Sequence, residues 1–141
     1  MTAAAPELTG PERALRVAAA VLLVVSIGFG VVYLVQGITG PAEFPYATNS
    51  VAKDVLLAAL AYLIVRDVRR WAVVAVPLIV LAHLAMPLVM ITTALVGGPD
   101  GIGNIWGSSP PVSASTFRLG WIAADLAVVV IFVWLYRRAY R

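Results

Sequence analysis

Past Arg16 the chain reads Val17-Ala18-Ala19-Ala20-Val21-Leu22-Leu23-Val24-Val25-Ser26-Ile27-Gly28-Phe29-Gly30-Val31-Val32-Tyr33-Leu34-Val35, without one charged side chain. A helix needs about 20 mostly apolar residues to cross the hydrocarbon of a bilayer, at a rise of about 1.5 Å per residue. This stretch has that length. Arg13 and Arg16 before it give it the look of a secretory signal. A signal core, however, runs only about 7–15 residues and closes on a small-x-small cleavage site. The run 17–35 is longer and no such site follows, so it reads as a retained helix. Ahead of it, Thr9-Gly10-Pro11-Glu12 has the form of a capping box, in which the Thr hydroxyl accepts an amide proton and the Glu reaches back.

The same pattern recurs. Helices are expected over about 12–36, 50–65, 68–96 and 116–136. Gly37 ends the first, Asn49 caps the second and Asp67 the third. Pro77 and Pro87 are kink points in the third, and Gly97-Gly98-Pro99 stops it. Ser113 or Ser115 caps the fourth. Membrane strands alternate in polarity over about ten residues. These segments are apolar all round, so their backbone groups must be satisfied within helices. The expected fold is an all-α membrane protein, a four-transmembrane-helix bundle forming one membrane domain over residues 1–141, with no low-complexity linker and no clear repeat.

Composition agrees. Hydrophobic residues make up 62% of the 141 and charged residues 12%, and the mean hydropathy is +0.95. Soluble domains carry about 45–50% apolar and about 25% charged residues. The net charge of +3 and pI near 9.7 do not indicate a nucleic-acid binder, because the basic residues flank apolar segments instead of forming a stripe. No cysteine is present, which removes thiolate chemistry and Cys metal sites. The single His excludes a multi-His centre. No metal or cofactor is expected.

Arginine placement sets an orientation. Arg13 and Arg16 precede the first helix, Arg66, Arg69 and Arg70 fill the turn between the second and third, and Arg137, Arg138 and Arg141 follow the fourth. With four crossings all eight fall on one side. Lys53, Arg118, Glu43, Asp54 and Asp100 fall on the other. Both termini are expected in the cytoplasm, in a multi-pass protein of the cell's inner (plasma) membrane. The turn is so short that the second and third helices must be antiparallel neighbours. The outer loops are expected at 37–49 and 97–115. Trp71, Tyr136 and Tyr140 inside, and Tyr46 and Trp106 outside, fit interfacial belts.

Ionisable residues at membrane depth are costly and commonly mark function. Asp125 lies about 13 Å along the fourth helix, with Trp121 and Arg118 earlier on the same face. Direct pairing with Arg118 would be strained. His83 lies near the middle of the third helix, on a face with Ile79, Met86 and Met90. Asp54 sits beside Lys53 about a turn inside the second helix, where the helix dipole also favours a carboxylate. Glu43 is expected in a loop. Each residue has a structural reading: hydrogen bonding to a neighbouring helix for Asp125 and His83, packing for the Met pair, solvation for Glu43. Taken together, Glu43, Asp54, His83 and Asp125 step from the outer surface to the midplane and would line a polar pocket. Asp125 facing lipid would exclude such a pocket. Gly28-Phe29-Gly30 permits close helix packing. Gly98-x-x-Gly101-x-Gly103 lacks the spacing of a phosphate loop, and no Ser-His-Asp order suggests a hydrolase.

The Arg-started first helix, its Gly37 exit, the second-helix run Leu56-Leu57-Ala58-Ala59-Leu60 and the basic turn Arg66 to Arg70 resemble the small four-helix bacterial membrane proteins of the DoxX-like type. Where that family carries Gly-x-x-Lys at the first exit, this chain has Gly37-Ile38-Thr39-Gly40. The resemblance implies an association with respiratory or redox membrane complexes. Intramembrane Asp54 and Asp125 are also similar to the acidic residues of the emopamil-binding and sigma-2 receptor group, which implies a sterol-like ligand.

Three functions are therefore open. One is an accessory subunit or a lipid- or quinone-binding module. A second is a membrane-embedded isomerase or cyclase of an isoprenoid or polyketide, with Asp125, His83 and Asp54 as catalytic groups. A carboxylic acid in an apolar pocket can donate a proton. In either case Trp121, Arg118, Glu43, Met86 and Met90 are candidate ligand contacts. The third is a proton-coupled transporter working as an oligomer. The expected partners are bilayer lipid, a lipophilic small molecule, and a membrane-protein partner or a second copy, with no nucleic acid.

Overall fold

The computed structural model describes residues 7–39, 44–105 and 114–141, and the side chains outside 36–37, 44–50, 86–87, 89–105 and 114–119. Apart from its two short ends and Asp67, the described chain is helical: α1 Gly10–Thr39, α2 Phe44–Arg66, α3 Val68–Ile105 and α4 Ala114–Ala139. Within it, Gly10–Val35, Val68–Ala85 and Gly120–Ala139 are long and apolar enough to cross a membrane.

Two starts follow their caps. The Thr9 amide donates to Glu12 Oε2 at 2.7 Å, and the Glu12 amide donates to Thr9 Oγ1 at 3.3 Å. This is the reciprocal box expected from the sequence. Asp67, the one non-helical residue between α2 and α3, accepts from the Arg70 amide at 3.2 Å. Asp67→Ala is expected to cost about 1 kcal/mol, read as a lower melting temperature in detergent. An unchanged melt would show that the cap does no work. Ser113, a cap expected for α4, lies outside the described residues, and Ser115 lies inside the helix.

The helices run longer than their sequence signals. α1 passes through Gly37, and Thr39 Oγ1 donates back to the Val35 carbonyl at 2.8 Å. α2 begins at Phe44, so Asn49 is interior and does not cap it. Pro45 falls in the first turn, where its missing amide proton costs nothing. α3 continues through Gly97-Gly98-Pro99 to Ile105. Two glycines and a proline cost only a few kcal/mol in a helix, whereas backbone groups left unpaired in an apolar setting cost several each.

The helices form a ring in chain order. α1 packs most extensively on α2, α2 on α3, α3 on α4 and α4 on α1; α1 and α3 touch little, and among the described residues α2 and α4 make no close backbone approach. One stripe of each helix turns inward: Leu15, Ala19 and Leu22; Leu57, Leu60, Ala61 and Ile64; Val68, Ala72, Ala75, Val76 and Ile79; Phe132 and Leu135. The outward faces are apolar too, among them Val17, Val21, Val24, Val31, Val55, Leu81, Val130 and Ile131. An apolar exterior of this extent fits lipid and not water.

One end of the ring is tied by polar contacts. Arg69 donates through Nε to Glu12 Oε1 at 2.7 Å and through Nη2 to Oε2 at 3.0 Å, and Nη2 also reaches the Glu7 carbonyl at 2.8 Å. This is a forked ion pair on a carboxylate that is itself buried. Tyr140 donates its hydroxyl proton to the Val68 carbonyl at 2.9 Å. Burial, then the Glu12 carboxylate, pushes the Tyr140 phenol above its ordinary value, which keeps it a donor. The starts of α1 and α3 and the end of α4 are therefore level.

Candidate functional site

Followed away from the tied end, each inward stripe turns polar at one position. In α1, Leu15, Ala19 and Leu22 lead to Ser26. In α3, Ala75, Val76 and Ile79 lead to His83. In α2, stepping four residues back from Leu57 reaches Lys53, and in α4 stepping seven back from Phe132 reaches Asp125. These steps keep the residue on the same helix face. At about 1.5 Å per residue, Ser26 lies ~21 Å from Glu12, Lys53 ~20 Å from Arg66, His83 ~22 Å from Val68 and Asp125 ~21 Å from Ala139. The four helices thus contribute one polar residue each at a common depth. The apolar half-core lies on one side of that layer.

The layer has a charged centre. Lys53 Nζ stands 3.6 Å from Asp125 Oδ1, with 31% and 10% of the two side chains exposed. The pair joins α2 to α4, the two helices whose backbones stay apart, so the long Lys side chain spans the diagonal of the ring. A separation of 3.6 Å is an ion pair and not a hydrogen bond, which would lie near 2.7–2.9 Å. The ammonium protons and the carboxylate lone pairs are therefore not used up on each other. His83 is buried, and its Nδ1 donates to the Ile79 carbonyl at 2.9 Å. A carbonyl can only accept, so Nδ1 carries the proton and Nε2 is left for other chemistry. Both Lys53 and Asp125 act electrostatically on the His83 ring. Pro87 brings no amide proton to α3, which also leaves the His83 carbonyl without its usual helical donor.

Asp54 points a different way from its neighbour. Its Cβ lies against α1, where a Cβ built on Gly30 would stand 3.5 Å from it. Tyr33, one turn further along α1, is within electrostatic reach of it. Asp54 Oδ2 is buried and has no hydrogen-bond partner among the described residues. A buried acceptor left unpaired costs about 1–3 kcal/mol. Gly30 is therefore the member of Gly28-Phe29-Gly30 that permits a close approach. Gly28 faces open space. Beside this carboxylate runs an aromatic set: Phe29 meets Trp121 edge-on at 5.5 Å between centroids and stacks on Tyr33 at 6.3 Å.

Of the residues singled out in the sequence, Asp125 and His83 are thus brought to one depth and one interior, and Asp125 does not face lipid. Asp54 is close by on the α1 side. Trp121 sits one turn from Asp125. Arg118, Met86 and Met90 lie on α4 and α3, but their side chains are outside the described set, and Glu43 lies outside the described residues altogether. The sequence offers Arg118 on the Asp125 face, whereas in the structure Lys53 stands against Asp125. Lys53 and Ser26 join the site only in the structure. The signal for Lys53 was available: it continues the Leu57, Leu60, Ala61, Ile64 stripe by one turn. An α2 that starts at Ser50 places Lys53 near the helix mouth, whereas in the helix from Phe44 it lies ~13 Å inside.

The described residues define a helical protein with three spans of membrane length. Compared with known proteins, the chain matches no protein family, no curated protein and no solved structure.

Proposed function

We propose that this is a four-span protein of the cell's inner (plasma) membrane, with both termini in the cytoplasm, whose polar layer binds the head of a lipophilic small molecule. Lipids and quinones are the ligand class, and the role is that of a binding module or accessory subunit, a reading that the resemblance to DoxX-like proteins over nearly the whole chain supports. α2 supplies the fourth crossing: its 23 residues reach ~34 Å, against a hydrocarbon core of about 30 Å. Four crossings also keep the eight arginines on one side.

The observation that carries the binding role is the Lys53–Asp125 pair, held across α2 and α4 without a hydrogen bond. A bilayer protein gains little from burying such charges for stability alone. The spare donors of Lys53, the Asp125 oxygens, the Asp54 Oδ2 and the His83 Nε2 offer a ligand both donors and acceptors. Phe29, Tyr33 and Trp121 offer a flat ring a stacking surface. Such a site suits a hydroxyl- or carbonyl-bearing ring with an apolar tail.

The test is solvent extraction and mass spectrometry of the detergent-purified protein, alongside the total lipid of the same membranes. A lipophile enriched over the bulk profile is expected, and it should be lost from a Lys53→Met/Asp125→Leu double variant. A bound-lipid profile equal to that of the bulk membrane would overturn the reading.

The His83 Nε2, left without the Ile79 contact in a ring on which Lys53 and Asp125 both act, favours one second reading. In it the same site acts on its ligand, with His83 as base and Asp125 holding the resulting imidazolium, as in an isomerase or cyclase of a lipophilic substrate. Under that reading His83→Ala and Asp125→Asn stop turnover of the extracted ligand while leaving it bound.

A further inference from the structure

The tied end of the ring carries a second feature, separate from the polar layer. Tyr140 is bonded to the Val68 carbonyl, so the basic turn Arg66 to Arg70 and the basic tail Arg137 to Arg141 lie side by side. Two of the acids at this end are engaged, and the third, Glu7, is exposed. Glu12 is held in the Arg69 fork, and Asp67 caps α3 through the Arg70 amide. Arg66, Arg70, Arg137 and Arg138 are exposed, and among the described residues none of them makes an ion pair. Two of these guanidinium groups are held over indole rings: Arg70 at 5.1 Å from the centroid of Trp71, and Arg138 at 4.5 Å from that of Trp134. Trp71 lies ~5 Å and Trp134 ~8 Å along its helix from the tied end. That is the level at which indoles sit among headgroups.

An arginine resting on an indole is pre-positioned: one face is occupied by the ring, and its N–H edge remains for a planar or tetrahedral oxyanion. Two such pairs, backed by Arg66 and Arg137, make a surface matched to phosphate oxygens. The exposed apolar side chains beginning within a turn or two, such as Val73, Val74, Val130 and Ile131, match acyl chains. We propose that this end of the α3–α4 pair is a binding surface for anionic phospholipids, with Arg70 and Arg138 each offered to a headgroup phosphate and Trp71 and Trp134 lying against the glycerol level. The proposal rests on the membrane-spanning reading above, but not on a ligand in the polar layer.

The experiment uses the full-length protein in nanodiscs, with Trp106→Phe and Trp121→Phe leaving Trp71 and Trp134 as the fluorescent reporters. The discs contain phosphatidylcholine and a minor share of either phosphatidylglycerol or phosphatidylcholine brominated high on its acyl chains. Bromines quench an adjacent indole, so the two titrations compare lipid association at these two residues. The brominated anionic lipid is expected to associate roughly threefold or more tightly than its zwitterionic counterpart, and Arg70→Gln/Arg138→Gln to bring the ratio close to one. Millimolar inorganic phosphate should leave the quenching unchanged. Equal quenching by the two lipids overturns the proposal, as does a preference that survives the double substitution. Relief of quenching by inorganic phosphate would assign the site to a free anion instead of a lipid. Loss of the lipid enriched in the polar layer would not alter these readings, so failure of the two proposals can be told apart.

Discussion

Replacing Lys53 by methionine is expected to destabilise the protein more than any other single polar substitution in the bundle. The volume is nearly kept, but Asp125 is left buried with no opposite charge. Breaking one side of a buried pair costs about 3–5 kcal/mol. Because the Lys53 side chain is 31% exposed, the lower end of that range, about 3 kcal/mol, is expected. Substituting the other partner should hurt less. The Asp125 side chain is only 10% exposed and cannot withdraw, whereas a lysine freed by Asp125→Leu can extend its ammonium towards the outer surface. The double variant Lys53→Met/Asp125→Leu removes both charges and should recover to within about 1 kcal/mol of the wild type. Denaturation in mixed micelles, titrated with sodium dodecyl sulfate, measures all three. Additive losses in the double variant would mean that the two side chains do not meet.

Ile79→Ala is expected to cost about 2 kcal/mol without touching the polar layer's chemistry. Ile79 is fully buried, at 0% exposure, between the apolar half-core and His83. In a bilayer the transfer part of a large-to-small substitution shrinks, because lipid is as apolar as the core. What remains is the loss of packing contacts around the cavity. That argument predicts a contrast within the same helix: Leu81, 62% exposed, should tolerate alanine with a change below about 0.5 kcal/mol. The Ile79 carbonyl that holds His83 Nδ1 belongs to the backbone and survives the substitution. A variant that melts early but still retains its bound lipophile is therefore expected. Equal melting of the Ile79 and Leu81 variants would contradict the inside-outside assignment of α3.

Much of the fold was legible because it is local. Apolar runs of bilayer length, the Thr9–Glu12 box and the Asp67 cap each depend on residues within one or two turns of each other. Helix ends were read less well. Asn49, Gly37 and Gly97-Gly98-Pro99 look like boundaries by intrinsic preference, yet the helices run past them. In an apolar setting, the cost of an unpaired backbone group exceeds the cost of a glycine or of one missing amide. The site was half legible. Asp125 and His83 stood out because a titratable group in an apolar run is expensive. Lys53 and Ser26 did not, because a lysine near an assumed helix mouth and a serine in a long valine run look unremarkable until the inward stripe is traced.

The opening stretch shows where the division falls. Residues 17–35 by themselves determine a helix of membrane length, since hydrogen bonding within the segment is all that such a run permits. They do not say that Ser26 faces inward or that Gly30 lies against Asp54. Those facts depend on the ring order of four helices and on how far each has slid along its neighbour, as do the Lys53–Asp125 pair and the Arg69 fork on Glu12. Ring order and sliding are set by side chains meeting across helices, which no periodicity within one helix encodes. The sequence alone therefore determined that polar groups enter an apolar bundle, and only the tertiary structure decided which of them meet.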